Sequence, residues 1–301
     1  MPYLEREDAR LFYEITGAGT PVLFIQGVGV IGAGWQFQTQ ALAGEFQCLT
    51  FDNRGIGQST MISPSFTVEM LAQDAVALAD AQGWEKMHVV GHSLGGIVAQ
   101  EIALSAPQRV QSLSLLCTFA KGAQGTRMSP SVVWMGLRTR IGSPSMRRRA
   151  FLEMLFAPEY LAQHKTEELA AHLKPVLGRE LAESPPILMK QLAALGVYDG
   201  SARLQELASI PTVVVSGGKD PIALSEYGVQ LSALIPGSRY VEMTTMAHGL
   251  ILQDTDRINT ILRDHFRAAF TDTDRRGGAG AWEGSARHPG FVDAGLGSEP
   301  R

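Results

Sequence analysis

A short stretch around residue 90 constrains the fold more than any other part of the sequence. Residues 87–90 form an apolar, β-branched run, and residues 97–104 have the composition of a buried helix. Between them, residues 91–95 read Gly-His-Ser-Leu-Gly, so a strand passes directly into a helix through a tight turn. Glycines at both ends let strand and helix approach closely, and the serine is pushed outward on a strained backbone. This context indicates a nucleophilic serine, Ser93, at the carboxyl edge of a buried sheet.

The same turn supplies a hydrogen-bond donor beside the serine. The amide of Leu94 begins the helix, where it has no partner within the helix and where the helix dipole favours negative charge. A second donor is expected from the loop 26–29, which follows an early strand and contains glycines that let the backbone approach a bound carbonyl group. The amides of Val28 and Leu94 are therefore our candidates for an oxyanion hole.

A serine hydroxyl attacks efficiently only when a base takes its proton and an acid orients that base. Asp220 follows the apolar run 212–215 and a pair of glycines, and His248 follows a later apolar run and leads directly into a helix. The order serine, aspartate, histidine along the chain is typical of one fold in which this chemistry occurs. We therefore predict a catalytic triad in which Ser93 is the nucleophile, His248 the base and Asp220 the orienting acid.

Apolar runs alternate with helical periods along most of the chain. Near-continuous apolar strands indicate burial on both faces, and the alternation predicts an α/β fold with a mostly parallel central sheet covered by helices on both faces. The predicted strands are 10–15, 22–25, 48–51, 87–90, 113–117, 212–215 and 240–243, and the predicted helices are 66–82, 95–105, 224–234 and 250–270.

The alternation breaks between residues 119 and 195, where helical periods continue without a convincing strand. Five of the eleven methionines lie in this segment, as expected of an adaptable apolar lid over a substrate. We interpret 119–195 as a helical cap that sets substrate choice and leaves the chemistry to a core formed by 1–118 and 196–270. The glycine-rich segment 271–301 has no apolar period, so we expect a disordered or loosely packed tail.

Composition excludes several functional classes. The chain has 301 residues, 45% of them apolar and 19% charged, and a formal net charge of −4, which gives no sign of nucleic-acid binding. No apolar run approaches the roughly 20 residues of a membrane span, and the charged start does not resemble a signal peptide. Cys48 and Cys117 lie in different predicted strands and read as buried free thiols of a reducing compartment, so we expect a cytoplasmic protein.

The sequence has no histidine–carboxylate spacing typical of zinc sites and no glycine-rich phosphate loop. We therefore expect no metal and no cofactor, and a small molecule as the substrate.

These features resemble the α/β-hydrolase superfamily, in its esterase, lactonase and cofactor-free perhydrolase-like branch. The resemblance runs from about residue 10 to residue 270. It is carried by the Gln-Gly pair at 26–27, the stretch 51–59 (Phe-Asp-Asn-Arg-Gly-Ile-Gly-Gln-Ser), the turn 91–96, and the loops of Asp220 and His248. The family commonly has His-Gly where this chain has Gln-Gly. The resemblance implies the α/β-hydrolase fold with a helical cap.

We expect a serine hydrolase that cleaves a small ester, thioester or lactone through an acyl-enzyme intermediate. Two alternatives remain open. The same triad can serve carbon–carbon bond hydrolysis, perhydrolysis or acyl transfer, because fold and triad do not separate these reactions. A receptor-like member of the superfamily would instead keep the pocket, bind a ligand and turn over slowly.

Overall fold

The computed structural model describes residues 2–62, 66–126 and 130–277, with side chains described except at 130–132 and 270–277. Within these residues the strands are β1 (Tyr3–Glu5), β2 (Ala9–Thr16), β3 (Thr20–Ile25), β4 (Phe46–Phe51), β5 (Thr60–Met61), β6 (Met87–His92), β7 (Val110–Leu116), β8 (Thr212–Gly217) and β9 (Arg239–Met243). The helices outside the predicted cap are α1 (Gln36–Leu42), α2 (Val68–Ala81), α3 (Leu94–Ser105), α10 (Ser225–Leu234), α11 (Leu250–Gln253) and α12 (Thr255–Gly277).

The strands form one sheet in the order β1-β2-β4-β3-β6-β7-β8-β9, and β5 pairs with the outer part of β2. The pairs of β2 with β1, β4 and β5 are antiparallel, and the pairs from β4 through β9 are parallel. Helices α2 and α3 pack against β3, β6 and β7, whereas α1 and α12 pack together against β4 and β7. Every residue of β6 and β8 is buried, which explains the run of valines at the centre of both strands. The predicted fold class is confirmed.

Between β7 and β8 the chain forms a group of helices that corresponds to the predicted cap. They are α4 (Gly122–Thr126), α5 (Pro130–Arg138), α6 (Pro144–Leu155), α7 (Pro158–Ala162), α8 (Thr166–Leu177) and α9 (Ile187–Val197). Leucines and Phe156 on these helices form an apolar cluster separate from the main core. Phe119 and Leu195, at the predicted ends of the cap, are buried in the main core. The segment is joined to the core at both ends by apolar packing.

The predicted helix 250–270 is wrong as a single element, because it is divided at Asp254. The Asp254 backbone leaves the helical region (φ −139°, ψ 69°), and its Oδ1 accepts the N–H of Arg257 at 3.3 Å. A side chain that accepts from an amide three residues later caps the start of a new helix. Asp254 therefore ends α11 and begins α12.

Helix α12 extends past residue 270, the predicted end of the core, and continues to Gly277. The packed face of α12 anchors this extension; it consists of Ile258, Leu262, Phe266 and Ala269. Adding residues to the end of an existing helix requires no new helix nucleation. This explains why α12 continues beyond the last residue of its apolar spacing. The remainder of the predicted tail, 278–301, lies outside the described residues.

Both cysteines, Cys48 and Cys117, are buried free thiols, as predicted. Burial raises the pKa of Cys48 to about 12, so its thiol stays protonated at neutral pH. In the described part of the chain, no helix combines the length and apolar character that crossing a bilayer requires.

Candidate active site

Ser93 lies at the tight turn between β6 and α3 and has an unusual backbone conformation. Its φ of 55° and ψ of −120° lie in a region that side-chain-bearing residues rarely adopt. A Cβ atom on Gly91 would overlap the carbonyl oxygen of Gly95, so this crossing of strand and helix requires glycine. The Ser93 amide donates to the Leu116 carbonyl (2.9 Å), and its carbonyl accepts from Thr118 Oγ1 (2.8 Å). Contacts with β7 and the residues after it therefore hold the turn in place.

Asp220 and His248 meet at the carboxyl ends of β8 and β9. Asp220 Oδ2 lies 2.7 Å from His248 Nδ1, and both residues are buried, with exposed fractions of 4% and 6%. The other oxygen, Oδ1, accepts the backbone N–H groups of Ile222 (2.8 Å) and Ala223 (2.9 Å). These bonds fix the carboxylate, and the carboxylate selects the His248 tautomer that carries its proton on Nδ1. Nε2 is then left with a lone pair that can accept a proton.

His92, which the sequence analysis did not assign to the site, lies against His248. Its Nε2 donates to the His248 carbonyl oxygen (2.8 Å), and the two rings are 4.9 Å apart between centroids. Burial lowers the pKa of His92 to about 3, so the ring is neutral at physiological pH. His92 therefore holds the backbone of His248. The only sequence signal for this role is that His92 directly precedes Ser93. This signal is weak, because the side chains of neighbouring strand residues point to opposite faces of the sheet.

The buried histidines make the fold sensitive to acid. Burial lowers the pKa of His88 and His92 to about 3 and that of His265 to about 4. In the unfolded chain these rings take up protons near pH 6.5. Between pH 6.5 and the lowered pKa of each buried ring, the unfolded state binds more protons than the folded state. The free energy of unfolding therefore falls as pH decreases below 6.5. The loss approaches about 1.4 kcal/mol per pH unit for each histidine.

We therefore expect urea denaturation midpoints to fall steadily from pH 7 to pH 5. The variant His88→Asn should weaken this pH dependence, whereas His172→Asn, at an exposed cap position, should leave it unchanged. A free energy of unfolding that is constant from pH 7 to pH 5 would contradict the neutral burial of these rings.

The loop after β3 presents one unpaired amide beside the serine. On either side of Val28, the N–H of Gly27 donates to Gln26 Oε1 (3.3 Å) and that of Gly29 to Gln191 Oε1 (2.7 Å). Within the described residues, the Val28 N–H has no acceptor. A Cβ atom added to Gly27 would lie 3.0 Å from the Cβ of Ser93, so the loop passes directly over the Ser93 side chain.

Leu94 provides the second unpaired amide, because it is the first residue of α3 and its N–H finds no acceptor in the described part of the chain. Gln26, where the family commonly has histidine, is buried, and its Nε2 lies against Gly34 while its Oε1 accepts from Gly27. The glutamine thus shapes the loop locally. Both predicted donors lie on segments that adjoin Ser93.

One group of side chains near the triad has the composition of a metal site. Ligand atoms of His92, Cys117 and His248 lie within 4.8 Å of one another. The hydrogen bonds of His248 Nδ1 to Asp220 and of His92 Nε2 to a carbonyl oxygen leave the other nitrogen of each ring available as a ligand. Burial, however, raises the pKa of the Cys117 thiol, and a protonated thiol is a poor ligand. At neutral pH the group therefore offers two imidazoles and no thiolate.

Residues 20–255 match the family described as alpha/beta hydrolase fold. Over 268 residues the chain is 32% identical to the protein of Azorhizobium caulinodans named "Putative carbamate hydrolase RutD", with 87% of this chain and 97% of that protein covered. Its fold is also similar to that of a thermophilic esterase from Thermogutta terrifontis (TM-score 0.71, 25% identity, 87% and 94% covered). The enol-lactonase from Burkholderia xenovorans LB400 shares the fold (TM-score 0.73, 24% identity, 88% and 100% covered). The chain belongs to the alpha/beta hydrolase fold family.

Proposed function

We propose that this protein is a serine hydrolase that cleaves a small ester, thioester or lactone through an acyl-enzyme intermediate. The observation that carries the proposal is the pattern of amides in the loop over Ser93. Both neighbours of Val28 have their N–H groups paired, whereas the Val28 N–H is unpaired. An unpaired donor near a nucleophile is what a developing oxyanion requires. The 2.7 Å contact between Asp220 and His248 supports the same reaction.

In the proposed reaction, His248 Nε2 removes the proton from Ser93 Oγ while Oγ attacks the substrate's carbonyl carbon. The carbonyl oxygen takes up the electron pair as an oxyanion, which the amides of Val28 and Leu94 stabilise. The oxyanion collapses, the bond to the leaving group breaks, and His248 gives its proton to that group. Water, deprotonated by His248, then attacks the acyl-enzyme and releases the acid, returning the proton to Ser93. Asp220 stabilises the imidazolium in both halves.

The names of the similar proteins support hydrolysis at a carbonyl carbon, and a carbamate ester is a further substrate to test. Attack by Ser93 on a carbamate ester would expel the alcohol and form a carbamoyl-enzyme, whose hydrolysis would release a carbamic acid that decomposes to an amine and CO2. We propose that the substrate is a small molecule, that the reaction needs no metal or cofactor, and that the protein acts in the cytoplasm.

A fluorophosphonate should label Ser93 and no other residue at neutral pH. Only an activated serine attacks such a reagent, so replacing the base by His248→Ala should slow labelling at least about 10²-fold. Intact-mass and peptide mapping give the extent and position of labelling. The matched control is His172→Ala, an exposed cap histidine, which should label at the wild-type rate. Undiminished labelling in His248→Ala, or an adduct elsewhere, would contradict the proposed roles.

The alternative functions predict different products from the same protein. Steady turnover of aryl esters, lactones or carbamates, with stoichiometric release of the acid, supports the proposal. Tight binding of a ligand without turnover would favour the receptor-like alternative. A carbon–carbon bond hydrolase would prefer a diketone as its substrate. A perhydrolase would transfer the acyl group to hydrogen peroxide in preference to water, and an acyltransferase would transfer it to an alcohol.

A further inference from the structure

We propose that Gln191, on cap helix α9, is a positioning residue that holds the oxyanion loop in its donating geometry. The inference rests on the proposed function, because it assigns Gln191 to the loop whose Val28 amide stabilises the oxyanion. It assigns part of the chemistry to the cap, which the sequence analysis expected only to select the substrate.

Gln191 reaches the loop from a position 162 residues away in the sequence. Its side chain is fully buried, and Oε1 accepts the N–H of Gly29 at 2.7 Å. The peptide plane between residues 28 and 29 is thereby fixed by the cap. Gln26 holds the plane between residues 26 and 27 through the N–H of Gly27. The Val28 N–H belongs to the intervening plane, whose Gly27 carbonyl accepts the N–H of Val30 at 3.5 Å. Its direction is therefore set by this contact together with the two planes that glutamines hold on either side.

A second cap residue holds the other polar group of Gly29. Arg179, between α8 and α9, donates from Nε to the Gly29 carbonyl oxygen at 3.4 Å. Its Nη1 donates to the Glu183 carbonyl (2.6 Å), and its guanidinium lies over the Phe151 ring, 5.0 Å from the centroid. These contacts keep Arg179 in place against the loop. The cap therefore satisfies both the N–H and the C=O of Gly29.

Only the oxygen of the buried Gln191 amide has a hydrogen-bond partner among the described residues. Its Nε2 is buried and has no acceptor among the described residues. Leucine would remove this unpaired donor, but it would leave the buried Gly29 N–H without its acceptor. The oxygen of the amide, which serves the loop, is thus the part of the side chain that distinguishes glutamine from an apolar residue here.

The loops of the other catalytic groups have comparable contacts with the cap. The Gly249 N–H, next to His248, donates to the Leu155 carbonyl at 2.7 Å. Lys219, next to Asp220, forms an ion pair with Glu159 at 2.5 Å. The cap thus contacts a direct neighbour of each proposed catalytic group outside the Ser93 turn, and Gln191 makes the fully buried contact of this set.

The test compares Gln191→Asn, whose shorter side chain cannot reach Gly29, and Gln191→Leu, which keeps the volume but has no acceptor. The matched control is Gln163→Asn, at an exposed cap position. Loss of an oxyanion donor lowers kcat by about 10²–10³-fold, so misdirecting one should lower kcat at least about tenfold. We expect KM to change less than twofold. The affinity for a trifluoromethyl ketone, whose tetrahedral adduct places an oxyanion in the hole, should fall by the same factor as kcat/KM.

Amide hydrogen exchange gives a readout that does not depend on activity. The Gly29 N–H should exchange faster in both Gln191 variants than in the wild type and in Gln163→Asn. Wild-type kcat in either folded variant, a loss confined to KM, or unchanged exchange at Gly29 would overturn the inference. Failure of both variants to fold would also overturn it, because Gln191 would then be a structural residue.

Ser93→Ala, assayed with the same ester, separates this inference from the proposed function. If Ser93→Ala retains the wild-type rate, the proposed function fails and the inference fails with it. If Ser93→Ala is inactive while the Gln191 variants keep the wild-type kcat, the inference alone fails.

Discussion

The variant Ser93→Ala should hydrolyse the best aryl ester or lactone at least about 10³-fold more slowly than the wild type. Alanine removes the nucleophile and leaves the amides of Val28 and Leu94 in place, so only the residual rate from binding and the oxyanion hole remains. The melting temperature should stay close to that of the wild type, because alanine meets the same backbone constraint at φ 55° and the change removes one hydroxyl group. Steady-state kinetics and thermal melts measure both quantities.

Ser105→Ala is the matched control for this experiment, since Ser105 ends α3 and is exposed to solvent. It should retain the wild-type rate. Turnover by Ser93→Ala within a factor of ten of the wild type would exclude an acyl-enzyme at Ser93, provided that contamination is ruled out by a second purification.

The variant Asp220→Asn should lower kcat by about 10³–10⁴-fold while the protein stays folded. The asparagine oxygen can still accept the N–H groups of Ile222 and Ala223, which keeps the loop in place. Its NH₂ group, however, would face His248 Nδ1 and favour the tautomer with the proton on Nε2. That nitrogen could no longer accept the proton of Ser93.

Nitrogen NMR of the His248 ring should report the change of tautomer directly, together with the loss of kcat. The control is Asp256→Asn, which replaces an exposed acid in the first turn of α12. It should change neither the His248 tautomer nor kcat. An unchanged His248 tautomer combined with wild-type kcat would mean that another group orients the ring.

The elements that carry the proposed triad could be predicted because their signals are local. The central valines of β6 and β8 mark strands whose two faces are both buried, and parallel strands end at one edge of the sheet. The contact between Asp220 and His248 follows from that geometry once each residue is placed just after its strand. The break at Asp254 also has a local signal, because an aspartate directly before a helical period is typical of a helix start.

The contacts between the cap and the loops could not be predicted in the same way. A buried glutamine on a helix has the same local pattern as an exposed one, and Gln191 lies 162 residues from the glycine it contacts. Such pairs depend on how α9 docks onto the core, and no periodicity in one segment reports that docking. That segment 119–195 sets substrate choice alone stays a prediction, and the proposed role of Gln191 would extend the role of the cap to the chemistry.

The contacts of Gln191 and Arg179 with the backbone of Gly29 have a consequence for protein engineering and for the sequence divergence of related proteins. A cap grafted from another hydrolase would leave the Gly29 amide buried without an acceptor unless the donor carried an equivalent of Gln191. Substitutions that retune specificity should thus be tolerated on cap surfaces that do not face this loop, whereas a change at Gln191 would require another acceptor for the backbone N–H of Gly29. Across homologous sequences that keep this loop, position 191 or a neighbour of it in the cap should consequently carry a side chain that accepts a hydrogen bond.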